Sequence, residues 1–384
     1  LFESINAVEN LQNLEKIPFA LIYHPVYNGR GFSRVERSWN RYKLGLTKMA
    51  ALGLIAFNPN LIESEVTPLD TGESAPIFTP EPATREMLET VHSPAYIQHV
   101  IDMDAKGVGF FDRADTPAWR GVYNRAATIF GGTLLGAELV ASGKVRYVFN
   151  PAGGLHHAQY DKASGFCIFN DIVGAVRYWQ TRYGYKRIAI IDVDGHHGDG
   201  TQWLLYREPI LTVSLHMYDG RFYPRTGALS ERGEGEGNGY SLNFPLPRHS
   251  TDDEYLAMLE LAIQAVENYQ PQAIILQYGV DGHFADRMVG LKLSTYVYEA
   301  VAKKVKALAD KMCEGRLVAV GGGGYEPQAV ARCWSILAAN LAGKKLLLGE
   351  HYKALHDPPE AIPAPEPNAV EQVEKTLAVL RQMI

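Results

Sequence analysis

Ile188-Ala189-Ile190-Ile191-Asp192-Val193-Asp194-Gly195-His196-His197-Gly198-Asp199-Gly200 runs from an apolar segment straight into three carboxylates and two imidazoles. The apolar part, Ile188 to Val193, has the length and composition of a buried strand. Asp192, Asp194 and His196 recur with period two, so while the chain stays extended they project from one face near the strand end. Burying charge there is costly unless something compensates it. A divalent cation would, and Asp/His oxygen and nitrogen ligands suit zinc or another first-row metal. The other arrangement open to this segment is a carboxylate–histidine network at a sheet edge.

Working outward, apolar runs of strand length recur at Phe19–Tyr23, Val145–Asn150, Arg187–Val193, Ile210–Leu215, Ala273–Tyr278 and Leu317–Val320. Helical patterns at Ala126–Ser142, Ile172–Tyr183, Asp252–Tyr269 and Thr295–Met312 lie between most of them. This alternation predicts an α/β fold with a parallel sheet covered on both faces. Segment 58–80, rich in Pro, Glu, Ser and Thr, reads as a surface loop before a helix from about Ala83. Segment 357–367 is Pro-rich and reads as an exposed connection to a terminal helix over about 368–382. Neither separates convincing domains, so one domain is expected over 1–384, with its core at about 19–343.

Polar clusters follow these strands. Gly153-Gly154-Leu155-His156-His157 comes after Asn150, and the Asp192–Asp199 cluster after the next strand. His216 ends the Ile210 strand, Asp281 follows Tyr278, and Gly321-Gly322-Gly323-Gly324-Tyr325 follows Val320. All five sit at carboxyl ends of parallel strands, the edge where open α/β sheets bind ligands. One active site is the simplest reading.

Composition narrows the function. The chain has 384 residues, 46% hydrophobic, with a net charge of -6, which gives no electrostatic footprint for nucleic acid. Cys167, Cys313 and Cys333 form no CxxC, which argues against a disulfide framework or a thiolate zinc site and points to a reducing, cytoplasmic setting. No apolar stretch approaches the roughly 18 residues of a membrane span, and no signal-peptide pattern is seen at Leu1-Phe2-Glu3-Ser4.

Asp194, His196 and Asp281 would give a cation three protein ligands and leave positions open for water and substrate. His156 and His157 are acid/base candidates, with Asp192 and Asp199 as carboxylates to fix their tautomers. The four glycines before Tyr325 let the backbone approach a ligand and present a phenol to a developing oxyanion. Together these suit hydrolysis of an amide or ester by metal-activated water. Taken singly, each has a structural reading: a packed His–His pair, a structural Gly-Tyr turn, a strand-end Asp281, a packed His216. The Gly-rich run at 233–239 lacks phosphate-loop spacing and reads as a turn before Tyr240–Phe244.

Six segments, in order, carry a resemblance: Asn150-Pro-Ala-Gly-Gly-Leu-His-His157, Ser164-Gly-Phe-Cys-Ile-Phe-Asn-Asp171, Ile191-Asp-Val-Asp-Gly-His-His-Gly-Asp-Gly200, Val213-Ser-Leu-His216, Leu276-Gln-Tyr-Gly-Val-Asp281 and Gly321-Gly-Gly-Gly-Tyr325. The chain resembles the zinc-dependent histone deacetylase superfamily, in the class I-like branch that includes bacterial acetoin-utilisation-type deacetylases. The resemblance implies an arginase–deacetylase α/β fold with a parallel sheet of about eight strands. It implies Asp194, His196 and Asp281 as zinc ligands, although iron(II) is served by the same set. His157, oriented by Asp199, would be general base and acid; His156, oriented by Asp192, would stabilise charge; Tyr325 would polarise the acyl carbonyl. A structural potassium ion would take Asp192 and Ser214 side chains with backbone carbonyls of Asp192, Asp194, His196 and Leu215. Gly165 and Phe166 would wall an acyl-lysine tunnel, Arg41 would stand behind it, and Asp115 would grip the substrate backbone, with Asp112 close by. Tyr223 stands where a second tunnel aromatic is usually Phe, and Arg287 where Pro is common; Gly282 and His283 lie close enough to the metal to alter the pocket.

The implied function is hydrolysis of Nε-acetyl-lysine, or another short acyl-lysine, in proteins, by a chain with no nucleic-acid or membrane partner and with homo-oligomerisation left open. The alternative keeps the fold and takes an acetylpolyamine or other small amide; in that comparison Met288 matters, because the polyamine-selective animal branch carries an acidic residue there. An arginase-type dimanganese site would need a second close carboxylate pair after Asp281, where only Asp286 follows. A non-catalytic acyl-lysine reader conflicts with intact His157 and Tyr325.

Overall fold

The computed structural model describes residues 17–28, 40–56, 67–113 and 115–384. Its frame is a sheet of eight parallel strands: β1 (Ile17–Ile22), β2 (Ile77–Phe78), β3 (Val145–Asn150), β4 (Ile188–Asp192), β5 (Leu211–Met217), β6 (Ser241–Leu246), β7 (Ala273–Gln277) and β8 (Leu317–Val320). They lie in the order β2-β1-β3-β8-β7-β4-β5-β6, every pair parallel. Parallel strands covered on both faces read as unbroken apolar runs, and β4, β5, β7 and β8 are buried at every position. After β3 the chain skips across the places later filled by β8 and β7 to lay down β4. That reversal of strand order opens a crevice at the carboxyl edge.

Around the sheet lie α1 (Arg41–Ala51), α2 (Arg85–Glu89), α3 (Pro94–Lys106), α4 (Val122–Ala141), α5 (Asp171–Tyr183), α6 (Asp199–Leu205), α7 (Asp252–Tyr269) and α8 (Thr295–Cys313). They are followed by α9 (Pro327–Leu341), the single turns α10 (Lys345–Leu348) and α11 (Glu350–Lys353), and α12 (Pro367–Met383). Side-chain caps set several starts: the Asn170 side chain accepts from Val173 N–H at α5, and Thr251 with Glu254 forms a capping box at α7. No helix among the described residues is long and apolar enough to cross a membrane.

Four expectations change. The helix expected from about Ala83 is two: α2 ends after one turn, and Ser93 caps a new helix with Pro94 in its first turn. Segment 58–80 is not all loop, since Ile77 and Phe78 pair with β1; residues 58–66 lie outside the described residues. The short run after the 233–239 turn is strand β6, whose Pro245 fits an edge position where no ladder donor is needed. The connection at 357–367 is exposed for the most part but begins with a buried residue. Asp357 accepts from His283 Nε2 (2.9 Å) and Thr295 N–H (2.8 Å) and pairs with Arg332 Nη1 (2.8 Å). The segment after α9 is thereby tied to the loop that follows β7.

Helices α1 and α9 pack closely, and their contact supports the site from behind. Trp334 of α9 is fully buried, with its ring centroid 5.8 Å from Tyr42 and 5.6 Å from Phe149. A Cβ at Gly45 would lie 2.7 Å from Trp334 Cε3. Gly45→Ala gains about 1 kcal/mol of helix propensity, but overpacking a core contact costs about 1–3 kcal/mol. An indole wedged between other rings cannot yield cheaply, so the cost should win. We expect a lower urea midpoint for Gly45→Ala than for wild type; an equal or higher midpoint would show that Trp334 has room to move.

Candidate active site

Strands β4 and β7 are hydrogen-bonded neighbours with Asp192 opposite Gln277. Because the two strands end level, the residues just beyond them converge. Asp194, His196 and Asp281 are buried, and one ligand atom from each lies within 4.8 Å of the others. His196 Nδ1 is 2.8 Å from Asp281 Oδ2 and 3.2 Å from Asp194 Oδ1. Burial, with the Asp194 charge beside it, pushes the Asp281 carboxyl up to about 7. Burial alone would lower His196, but Asp281 and Asp194 override it and hold the imidazole up to about 10. The cluster thus draws positive charge, and two carboxylates with one imidazole at this spacing fit a divalent cation. Neighbours fix the carboxylates in place: Gln277 Nε2 (2.8 Å) and Gly323 N–H (2.7 Å) donate to Asp194 Oδ2, and Gly195 N–H donates to Asp281 Oδ1 (2.7 Å).

The histidine pair arrives on the loop after β3. Asp171, the first residue of α5, holds that loop by accepting from Gly154 N–H (2.9 Å), Leu155 N–H (2.8 Å) and the Thr133 hydroxyl (2.6 Å). His156 Nδ1 is 2.7 Å from Asp192 Oδ2, His157 Nδ1 is 2.6 Å from Asp199 Oδ1, and the two Nε2 atoms are 3.1 Å apart. Their surroundings push the two rings in opposite directions. Burial would lower His156, yet Asp192 and Asp194 raise it to about 9. Burial and the charge on His156 lower His157 to about 4, against the pull of Asp199. The Asp199 carboxylate favours the His157 proton on Nδ1, which leaves the Nε2 lone pair as the acceptor. Gln159 Nε2 donates to the other Asp199 oxygen (3.1 Å).

One cavity is lined by His156, His157, Asp194, His196, Phe166 and Tyr325, together with Arg41. Arg41 Nη1 donates to Gly324 O (3.0 Å) and Nη2 to the Tyr42 hydroxyl (2.9 Å). Burial, then the charges of Asp281 and Asp194, raise Tyr325 well above the usual phenol range, so it stays a hydrogen-bond donor. At the mouth, Gly165 must lack a side chain: a Cβ there would lie 2.4 Å from His157 Cδ2. Phe166 follows in a left-handed conformation (φ 66°) and meets Tyr325 edge to face at 6.0 Å. Its N–H donates to Thr116 Oγ1 (3.1 Å). Tyr223 packs edge to face on His157 (5.0 Å), and its hydroxyl is 2.6 Å from Ser164 Oγ, so the extra oxygen of this tyrosine is engaged at the rim. Asp112 is used inside its own turn, accepting from Asp115 N–H (2.8 Å) and Thr116 N–H (2.9 Å), whereas Asp115 is exposed. Met288 is half-buried against the core.

Other expected positions fall close by. Ser214 lies opposite Asp192 in the β4–β5 ladder, next to fully buried Leu215. His216 is a packed histidine, with Nδ1 2.9 Å from Ser214 Oγ and Nε2 3.0 Å from Gly227 O. Three residues with clear positional roles were not assigned any from the sequence: Asp171, Gln277 and Asp286. Gln277 carried the same signal as Asp192, a polar side chain closing a buried apolar strand. Asp171 and Asp286 gave no comparable signal, because each works by accepting backbone N–H groups from elsewhere in the chain.

A histone deacetylase domain model matches residues 56–341. The acetoin utilization protein AcuC of Bacillus subtilis (strain 168) is 36% identical over 330 residues, covering 82% of this chain and 80% of that protein. Histone deacetylase 8 of Xenopus laevis is 34% identical over 283 residues, 70% of this chain and 84% of that one. Among solved structures, a histone deacetylase homologue complexed with SAHA superposes with a TM-score of 0.77 at 26% identity, covering 96% of this chain and 100% of that chain. The sheet order, the strand-end cluster and these matches agree: the fold is the arginase–deacetylase α/β fold, and the chain is a hydrolase belonging to the histone deacetylase family, in its bacterial acetoin-utilisation-type branch.

Proposed function

We propose that this family member is a zinc-dependent amidohydrolase that removes acetyl, or another short acyl group, from Nε-acyl-lysine in proteins. The observation that carries the reading is that His157, oriented by the Asp199 carboxylate, and Tyr325 line the same cavity as Asp194 and His196. Asp194, His196 and Asp281 would hold the cation. When bound, it supplies Lewis acidity that polarises the amide carbonyl and makes water a better nucleophile at neutral pH. His157 Nε2 takes the proton of the attacking water, with Asp199 keeping the ring in the tautomer that exposes that lone pair. The Tyr325 hydroxyl donates to the oxygen that becomes negative in the tetrahedral intermediate. His156, anchored by Asp192, helps to stabilise the same charge. His157 then returns its proton to the departing lysine amine. Asp115 at the exposed rim would hold the substrate backbone, and Gly165, Phe166 and Tyr223 would wall the lysine stem. A potassium ion on Asp192, Asp194, His196, Ser214 and Leu215 would neutralise the inner carboxylates.

Three outcomes are expected. Protein purified without chelator should contain one equivalent of zinc, and Asp281→Ala should lose it; elemental analysis showing no transition metal, or equal metal in the variant, would overturn the ligand set. Tyr325→Phe should fold normally and lose on the order of 10²–10³ in kcat, the usual cost of one oxyanion donor. His157→Ala should lose at least as much, and near wild-type turnover in either variant would remove that residue from the mechanism. The third concerns substrate. A polyamine is a long cation, and selecting it calls for a carboxylate along the tunnel, whereas half-buried Met288 offers only apolar contact to a lysine stem. We expect kcat/KM for an acetyl-lysine peptide to exceed that for N8-acetylspermidine by at least about tenfold, roughly 1.4 kcal/mol in transition-state binding. Met288→Glu should narrow the gap; an equal or reversed preference in the wild-type enzyme would make small acylamines the substrate class.

A further inference from the structure

Tyr325 ends a run of four glycines, a segment with almost no conformational preference of its own. Its position therefore has to be imposed from outside, and the loop's hydrogen bonds show how. Gly321 N–H donates to Asn150 O (3.1 Å), Gly322 N–H to Gly153 O (3.0 Å) and Gly323 N–H to Asp194 Oδ2 (2.7 Å). Gly323 O accepts from Val280 N–H (2.8 Å), and Gly324 O from Arg41 (3.0 Å). Among the described residues two side chains hold the Gly324–Tyr325 peptide itself, Arg41 at its carbonyl and Asp286 at its N–H. Asp286 Oδ2 accepts from Tyr325 N–H (2.5 Å) and Glu326 N–H (3.1 Å), while Oδ1 accepts from Met288 N–H (3.0 Å).

Asp286 is 4% exposed, and a carboxylate so buried needs compensation. Three N–H donors provide it. A further contribution comes from the N-terminal end of α9, whose first residue, Pro327, follows directly on Glu326. Both carboxylate oxygens are thus engaged with backbone, so Asp286 is placed to hold peptides rather than to ligate a second cation. The anchor also ties the glycine run to the loop after β7, which carries Asp281 and Met288 as well.

We infer that Asp286 is a positioning residue for Tyr325: by gripping the Tyr325 and Glu326 peptides it sets where the phenol hydroxyl meets the developing oxyanion. The inference rests on Tyr325 acting as the oxyanion donor. Pivoting at that peptide would swing a ring and hydroxyl lying at the far end of a long lever, and about 1 Å of misplacement can cost on the order of 10²-fold in rate.

A double-mutant cycle on the zinc-loaded full chain tests this, using an acetyl-lysine peptide and, for slow variants, the more reactive trifluoroacetyl-lysine peptide. Asp286→Ala in the wild-type background should lower kcat by about 10–100-fold, leave KM nearly unchanged and leave the zinc content at one per chain. In the Tyr325→Phe background the same substitution should cost less than about threefold, because the group it positions is already gone. Asp286→Asn keeps one carbonyl oxygen for the Tyr325 and Glu326 donors, so it should recover much of the lost kcat and repeat the same non-additivity. That variant carries the test if Asp286→Ala does not fold. An equal cost in both backgrounds, or loss of zinc from Asp286→Ala or Asp286→Asn, would overturn the inference while leaving the mechanism intact. A fully active Tyr325→Phe would instead remove Tyr325 from the chemistry and take the role of Asp286 with it.

Discussion

Asp194 and Asp281 stand at the ends of adjacent parallel strands, fully buried, with the His196 ring between them. Two carboxylates at that separation repel each other strongly in a medium less polarisable than water. The surrounding structure can be understood as the means of tolerating that repulsion. Gln277 and Gly323 lend N–H groups to Asp194, Gly195 lends one to Asp281, and His156 Nε2 lies 3.9 Å from Asp194 Oδ1. A cation bound there would complete the compensation, so the geometry that would be a liability in a plain core suits a metal site. The arrangement depends on β4 and β7 being neighbours in register, and that follows from the chain leaving two strand positions vacant after β3.

The same charge pattern separates the two histidines. They are adjacent in sequence, equally buried and each paired with a carboxylate. They differ because His156 faces two acids, Asp192 and Asp194, while His157 faces one acid and the charged His156. One ring is therefore biased toward holding its proton and the other toward losing it. The opposite shifts come from the number of neighbouring charges, with no need for different burial.

Much of the frame was legible in the sequence because a parallel sheet buries strands on both faces. Ile188–Asp192 and Leu317–Val320 are read as apolar runs for that reason. What escaped did so on physical grounds. β2 is two residues long, and β6 contains Pro245, which weighs against a strand except at an edge. The break between α2 and α3 is set by Ser93 and Pro94 within a stretch that otherwise reads as helical. In the site, Asp192, Asp194 and His196 stand out since charge rarely closes a buried strand. Asp286 does not, because its partner Tyr325 is 39 residues away and the contact is to a backbone N–H that every residue type offers.

The tie between Asp357 and His283 links residues 74 apart in sequence, and Asp357 lies beyond the stretch matched by the family's domain model. A ribosome delivers the chain from its N-terminus at about 5–20 residues per second, so roughly 4–15 s separate the synthesis of the two partners. During that interval the loop bearing Asp281 has been made but lacks one of the contacts that hold it. Fastening of the loop that carries Asp281 is thus timed by translation of the segment after α9, and a nascent chain stalled before Asp357 would hold that loop with one tie missing.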